Sequence, residues 1–331
     1  MGTSERLGAL GERIRIYSKE TTSFKDKIEL NYMLDIVACG SHHQAMNRLS
    51  LQERARIVGL LVEGNSLRAI TRLTGRSINT VTKLLVDVGT AAAEYHDLRM
   101  QNVKARRVQC DEIWSFVGAK KKNTTADQRR DGMGDAWTWV ALDADSKLCI
   151  SYLVGGRDGG WAFDFMQDVA SRVRGRVQLT TDGHKPYLEA VEGAFGLDVD
   201  FATLQKIYGY VSEEDARRYS PAKCIGCDMK TVIGNPDPEH VSTSFVERQN
   251  LTMRMSMRRF TRLTNAFSKK LENHAHAVAL HFLHYNFARI HKTLRVTPAM
   301  EAGICDHVWS LEEIAALPDR MAAASVALNS N

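Results

Sequence analysis

The stretch from Val108 to Lys122, "VQCDEIWSFVGAKKK", sets Asp111 and Glu112 side by side inside an apolar, aromatic-rich run. That composition reads as a buried β-strand. A buried strand tolerates a carboxylate only where a cation, a proton or several donors meet it. Successive side chains on a strand point to opposite faces, so the two acids are expected to part, and only one of them to serve a given site. Whatever this chain folds into must open that strand onto a place where negative charge is wanted.

The segments around it supply the layers. "AWTWVALDAD" and "KLCISYLVGG" continue as strands, "WAFDFMQDVASRV" is helical, "RVQLTTDG" is a strand, "PYLEAVEGAF" a helix and "DVDFATL" another strand, after which helical patterns take over. Three strands, helix, strand, helix, strand and then helices predict an α/β protein with a mixed sheet resembling the ribonuclease H-like fold. No internal repeat appears.

Ahead of the sheet the chain reads as all-α. "SLQE" offers Ser50 as N-cap with Glu53 three residues on, a capping box that opens "LQERARIVGLLVEG", closed by Gly64. A second capped helix runs from Ser66 to Gly75, and a third starts at Ser77 after a tight turn at Gly75 and Arg76. Two short helices joined by a glycine turn outline a helix-turn-helix, in which Ser77, Asn79, Thr80 and Lys83 would face base edges. An ordinary three-helix bundle fits the same pattern. Both readings place Ile70, Leu73, Ile78, Val81 and Leu84 in a core. The following "RMQNVKARR" holds Arg99, Lys104, Arg106 and Arg107 with no acid among them, a basic linker suited to phosphates or a solvated charge run.

Two further acids stand out. Asp182 ends the strand "VQLTTD" just before Gly183, at the carboxyl edge where open α/β sheets bind ligands. Glu247 heads a helix, "STSFVERQNLTMRMSMRR", that Ser242 or Ser244 could cap; from Arg248 to Lys270 there are seven Arg or Lys and no acid. At a 3.6-residue period Arg254 and Arg258 share a face with Glu247. Carboxylates from two strands and a helix suit hard cations such as magnesium, with manganese able to substitute, and a pair of such ions can drive an in-line attack on a phosphodiester. Each acid alone also reads as a surface or salt-bridged side chain. Asp143 and Asp145 are explained by turn chemistry, and Asp158 and Asp164 flank a loop-to-helix junction.

"DEIWSFVGAK", "TTDGHKPY" and the long block from Ser244 to Met300 resemble the DDE-type transposases of the insertion sequence 1 family, over about Met46 to Trp309. The resemblance implies a metal-binding catalytic triad of Asp111, Asp182 and Glu247, and it alone selects Asp111 over Glu112. It implies a DNA transposase that binds terminal inverted repeats through the helix-turn-helix, cleaves and joins DNA with a two-ion magnesium site, and works as a homo-oligomer on element ends and target DNA. His184, Lys185, Arg248, Arg254 and Arg258 are further candidates for DNA contact, with Arg289 and His291 behind them. A helix-turn-helix repressor with a degenerate catalytic domain, and a nuclease of the same fold without strand transfer, are the competing readings. The expected divisions are an unassigned extension over 1–45, a helix-turn-helix domain over 46–98, the basic linker over 99–107, a catalytic domain over 108–300 with an irregular insertion at about 205–243, and a tail over 301–331.

The resemblance departs in one respect. Family members often carry a cysteine-rich zinc motif before the helix-turn-helix, and here only Cys39, His42 and His43 stand there, too few and too close for a tetrahedral site, so zinc is not expected. "CIGC", Cys224 to Cys227, lacks two further ligands and reads as loop thiols. The six scattered cysteines suit a reducing compartment, no apolar run approaches the roughly 18 residues of a membrane span, and a cytoplasmic, nucleoid-associated protein is expected. Residues 1–45 match nothing in the family and are expected to be a dispensable extension.

Overall fold

The computed structural model describes residues 48–209, 224–261 and 265–329. The expectations placed on the first 45 residues, including Cys39, His42 and His43, fall outside them. Three helices come first: α1 (Leu51–Val62), α2 (Leu67–Thr74) and α3 (Ile78–Arg99). Their starts are set by Ser50, Ser66 and Ser77, each accepting from a backbone N–H three residues on, and Ser50 forms the full capping box with Glu53. Gly75 ends α2 at φ +70°, a left-handed conformation costly for a residue with a Cβ. Ile70, Val81 and Leu84 are buried as expected, but Leu73 and Ile78 are exposed. Both flank the Gly75 turn, at the end of α2 and the start of α3, beyond the reach of the bundle's core.

The sheet is six-stranded: β1 (Arg107–Val117), β2 (Gly134–Asp143), β3 (Cys149–Gly155), β4 (Val177–Thr181), β5 (Val199–Tyr208) and β6 (Cys224–Ile233), in the order β3-β2-β1-β4-β5-β6. β1, β4 and β5 run parallel, while β2, β3 and β6 are antiparallel to their neighbours. A three-strand meander continued by parallel crossovers is the ribonuclease H-like topology. Helices α5 (Gly159–Arg172) and α6 (Pro186–Phe195) make the crossovers and cover one face, with Trp139, Phe165, Phe201 and Tyr187 fully buried between them; a small α4 (Ala126–Arg130) precedes β2. The other face packs Ile113, Val140 and Leu142 against α7 (Ser244–Ser256) and α8 (Leu271–Leu283). After a π-helical turn at His284–Ala288, Asn286 exchanges two hydrogen bonds of 3.0 Å with the Cys149 backbone and pins the start of β3.

Several expectations are corrected. The insertion at 205–243 is not irregular where it is described: β5 runs on to Tyr208 and pairs with β6, so the "CIGC" thiols lie in an edge strand and not in a loop. In the basic linker Lys104 and Arg106 are exposed, while Met100, Val103 and Ala105 are buried and anchor the segment to the body. Val103 bridges to Val173, and Arg107 belongs to β1. The tail is structured too: after the short α9 (Pro298–Glu301), α10 (Leu311–Asn329) buries Ile314, Leu317 and Met321 against α1 and α3. Among the described residues no helix is long and apolar enough to cross a membrane.

The helical unit shares one apolar core with the sheet. Arg172 at the end of α5 pairs with Asp97 of α3 and, at 2.7 Å, with Asp168, and the buried His96 ring meets the Ile150 carbonyl at 2.9 Å. Gly89 lets α3 touch α8, since a Cβ there would lie 2.5 Å from the His276 Cβ and 2.7 Å from its carbonyl oxygen. Gly89→Ala should therefore lower stability by about 1–3 kcal/mol through overpacking, read as a fall in the urea midpoint at unchanged slope. An unshifted midpoint would show that the two helices are free to move apart.

Candidate active site

β1 and β4 pair in parallel, and their last partners are Cys110 and Thr181. Asp111 and Asp182 are the next residues on neighbouring strands, at the carboxyl edge of the sheet. Oxygens of Asp111, Glu112 and Asp182 all lie within 4.8 Å of one another. Alternation holds, for Asp111 faces α7 and Glu112 the side of Trp139 and Tyr187, yet both acids reach the same place. β4 stops at Thr181, so no strand separates them beyond it, and parting to opposite faces does not keep the two carboxylates away from each other.

Each carboxylate has its own support. The Asn250 amide nitrogen on α7 donates to Asp111 Oδ2 at 2.9 Å, and the Glu112 backbone N–H donates to Oδ1 at 2.8 Å. The Glu112 side chain is fully buried and accepts from Arg157 Nε at 3.1 Å. Arg157 also approaches Asp182 Oδ2 at 4.0 Å and lies 4.4 Å over the Trp137 ring. Asp182 Oδ1 accepts from the His184 backbone N–H at 2.9 Å. Burial first, then the Asp182 charge, pushes Asp111 up to about 6; the same two causes push Glu112 up to about 7, against the pull of Tyr187 and Arg157. Asp111 and Glu112, largely withdrawn from water beside the half-exposed Asp182 carboxylate, are short of positive charge.

Glu247 stands slightly apart, one turn before Asn250 on α7. Its carboxylate accepts from Thr243 Oγ1 at 2.7 Å and is paired with Lys206 of β5. It lies outside the tight group, although its charge contributes to raising Asp111. The N-cap of α7 is Thr243, not Ser242 or Ser244, and the helix ends at Ser256. Arg258 therefore falls in a separate 3-10 turn (Arg258–Phe260), off the stripe expected for Glu247 and Arg254.

The other candidates scatter. Ser77 and Thr80 are tied to each other through the cap, at 3.1 Å from backbone to hydroxyl and 2.9 Å between hydroxyls; Ser77, Asn79 and Lys83 are exposed and Thr80 is half-buried. Lys83 pairs with Asp87 at 2.6 Å. Arg107 is committed to Asp145 and meets His240 at 2.9 Å, whereas Arg106 is exposed and 3.6 Å from Asp145. Arg248 and Lys185 are exposed and Arg254 is half-buried. His184 packs near Trp139 and Tyr187, and burial, followed by the Arg157 charge, holds its pKa down. Sequence reasoning passed over Arg157, Asn250, Lys206 and the closeness of Glu112 to the other two acids. A lone arginine in "GGRDGG" carries no periodic signal.

Residues 46–85 match a protein family described as a helix-turn-helix domain. No curated protein resembles the chain. Among solved structures it is similar to the piggyBac transposase in a synaptic complex with hairpin DNA, at 10% identity over 92% of this chain and 78% of that one, with a TM-score of 0.34. It is also similar to the Mos1 strand transfer complex, at 11% identity over 82% and 88%, with a TM-score of 0.21. The fold assignment rests on the strand order given above.

Arg157 is the cation that reaches the buried Glu112, so Arg157→Ala should destabilise the protein by roughly 2 kcal/mol or more through the uncompensated charge. Adding Glu112→Gln should recover part of that loss. Equal stability of the single and double variants would show that the loss does not come from the Glu112 charge.

Proposed function

We propose that the chain is a metal-dependent DNA transposase of the insertion sequence 1 kind. It would hold element ends with its helix-turn-helix and cleave and join DNA at the acidic cluster. The observation that carries this reading is the meeting of Asp111 and Asp182 at the ends of adjacent parallel strands, on a chain that also bears a helix-turn-helix. Asp111, Asp182 and Glu247 are the proposed catalytic and metal-holding residues, with Glu112 beside them.

The residues present fit a hard divalent cation. Every donor in the group is a carboxylate oxygen, and the buried Asn250 Oδ1 beside it has no hydrogen-bond partner. When bound, magnesium would supply a Lewis acid that polarises the scissile phosphate and activates a water or 3′-hydroxyl. The protein's own part is to position and to balance charge. Asn250 aims Asp111, Arg157 offsets Glu112 and Asp182, and Glu247 would complete the set by leaving Lys206. Asn79, Lys83 and Arg106 would meet the DNA, with Ser77 and Thr80 shaping the recognition helix, and Arg248, Arg254, Arg258, His184 and Lys185 would lie along the bound strand. Pairing of two ends implies a homo-oligomer.

The Lys206–Glu247 pair favours one alternative, a DNA-binding repressor whose acidic site is idle. Incubating the full chain with magnesium and the DNA that flanks its gene separates the two. Asp182→Asn should abolish nicks and joined ends while binding of the ends survives. End binding by the unaltered chain with neither product would favour the repressor, and cleavage without joining the nuclease.

Asn250→Ala removes the donor to Asp111 and should weaken manganese or magnesium binding by about 10- to 100-fold, measured by calorimetry. Unchanged metal affinity would mean that the amide does not orient Asp111.

A further inference from the structure

A groove of about 810 Å³ runs between the helix-turn-helix and the connection from α7 to α8, lined from one side by Arg68 and Asn79 and from the other by Arg258, Arg259, Lys269 and Lys270. Among the described residues no Asp or Glu lines it. Arg259 is its fixed point. One nitrogen, Nη1, donates to Ser268 Oγ at 2.8 Å and to the Asn273 carbonyl at 3.0 Å, and among the described residues no carboxylate stands within ion-pair distance. Burial without a counter-charge holds its pKa down to about 10, so it stays charged at neutral pH. A half-buried guanidinium left without an anion is costly unless a ligand supplies one, and its fork suits phosphate oxygens.

A second observation leads from the groove to the acids. Phe267, in the groove lining, meets Phe116 of β1 with ring centroids 5.0 Å apart and planes tilted by 33°, and Phe116 meets Trp114 at 5.7 Å. All three rings are half-exposed. Trp114 and Phe116 continue the face of β1 that carries Glu112, each two residues from the last. Lys120 Nζ lies 5.8 Å and 6.0 Å from the two rings. Asp135, opposite Phe116, is engaged by the Lys121 backbone N–H at 3.0 Å.

The geometry points to a lane for single-stranded DNA: the groove holds the phosphates with Arg259 as anchor, and Phe267, Phe116 and Trp114 stack unpaired bases on the way to the acidic cluster. Cationic grooves interleaved with aromatic rings bind single strands with little regard to sequence. The groove is the size of a ligand cleft, with room for a few nucleotides of one strand. The inference deepens the transposase reading and rests on it for the strand's destination.

The test uses the full chain without metal ions and a labelled oligonucleotide of about fifteen nucleotides, against a duplex of the element end. Arg259→Gln should weaken single-strand binding about tenfold, lower the magnitude of the salt slope by about 0.7 for one lost phosphate, and leave duplex binding unchanged. Phe267→Ala should weaken the single strand without altering the slope. Lys269→Gln, at an exposed position, guards against misfolding of the Arg259 variant and should also reduce the slope. Wild-type affinity in both charge variants would overturn the lane. So would displacement of the strand by inorganic phosphate at the strand's own affinity, which leaves a single-phosphate seat. A chain that binds the strand normally and processes no element end sinks the transposase reading and spares the groove.

Discussion

The parallel pairing of β1 with β4 is the constraint on which the site depends. It ends at Cys110 and Thr181, and so leaves Asp111 and Asp182 as neighbours across a sheet edge with no further backbone between them. Like charges brought that close out of water oppose folding. The structure answers with donors from three directions: Asn250 from α7, Arg157 from the loop after β3, and the backbone after Asp182. A residual shortage of positive charge remains at the edge, and the proposed metal role rests on it.

The helix-turn-helix is built into the same body. α3 is long enough to carry its early residues out to solvent while its later half is buried against α8, α10 and, through Arg172, the first crossover helix. The helix-turn-helix is thereby held in fixed relation to the acids, and a groove lies where the α7–α8 connection passes it. α10, read from sequence as a tail, closes this arrangement by packing on α1 and α3.

The misjudged residues share a cause. Leu73 and Ile78 have the right period for a core, but period says nothing of where a partner element ends, and both sit past it. Arg258 keeps the 3.6-residue register only if the helix continues, and it stops two residues earlier. β6 was illegible because "CIGCDMKTVI" lacks the alternation of a half-buried strand: it is mostly exposed, and pairing with β5 rather than burial makes it a strand. Arg157 and Lys206 touch acids 45 and 41 residues away, a relation without local signature.

The sequence by itself determined the local structure: serine caps and Glu53 set where α1 to α3 begin, Gly75 sets their turn, and alternating apolar runs set β1 to β5, because each depends on near neighbours in the chain. It also marked Asp111 as out of place in an apolar strand. Which acids meet, which cation each keeps, and that Glu112 joins Asp111 despite facing the other way were decided by the tertiary structure alone. Side-chain alternation is a property of one strand, whereas a shared site is a property of where its neighbour ends.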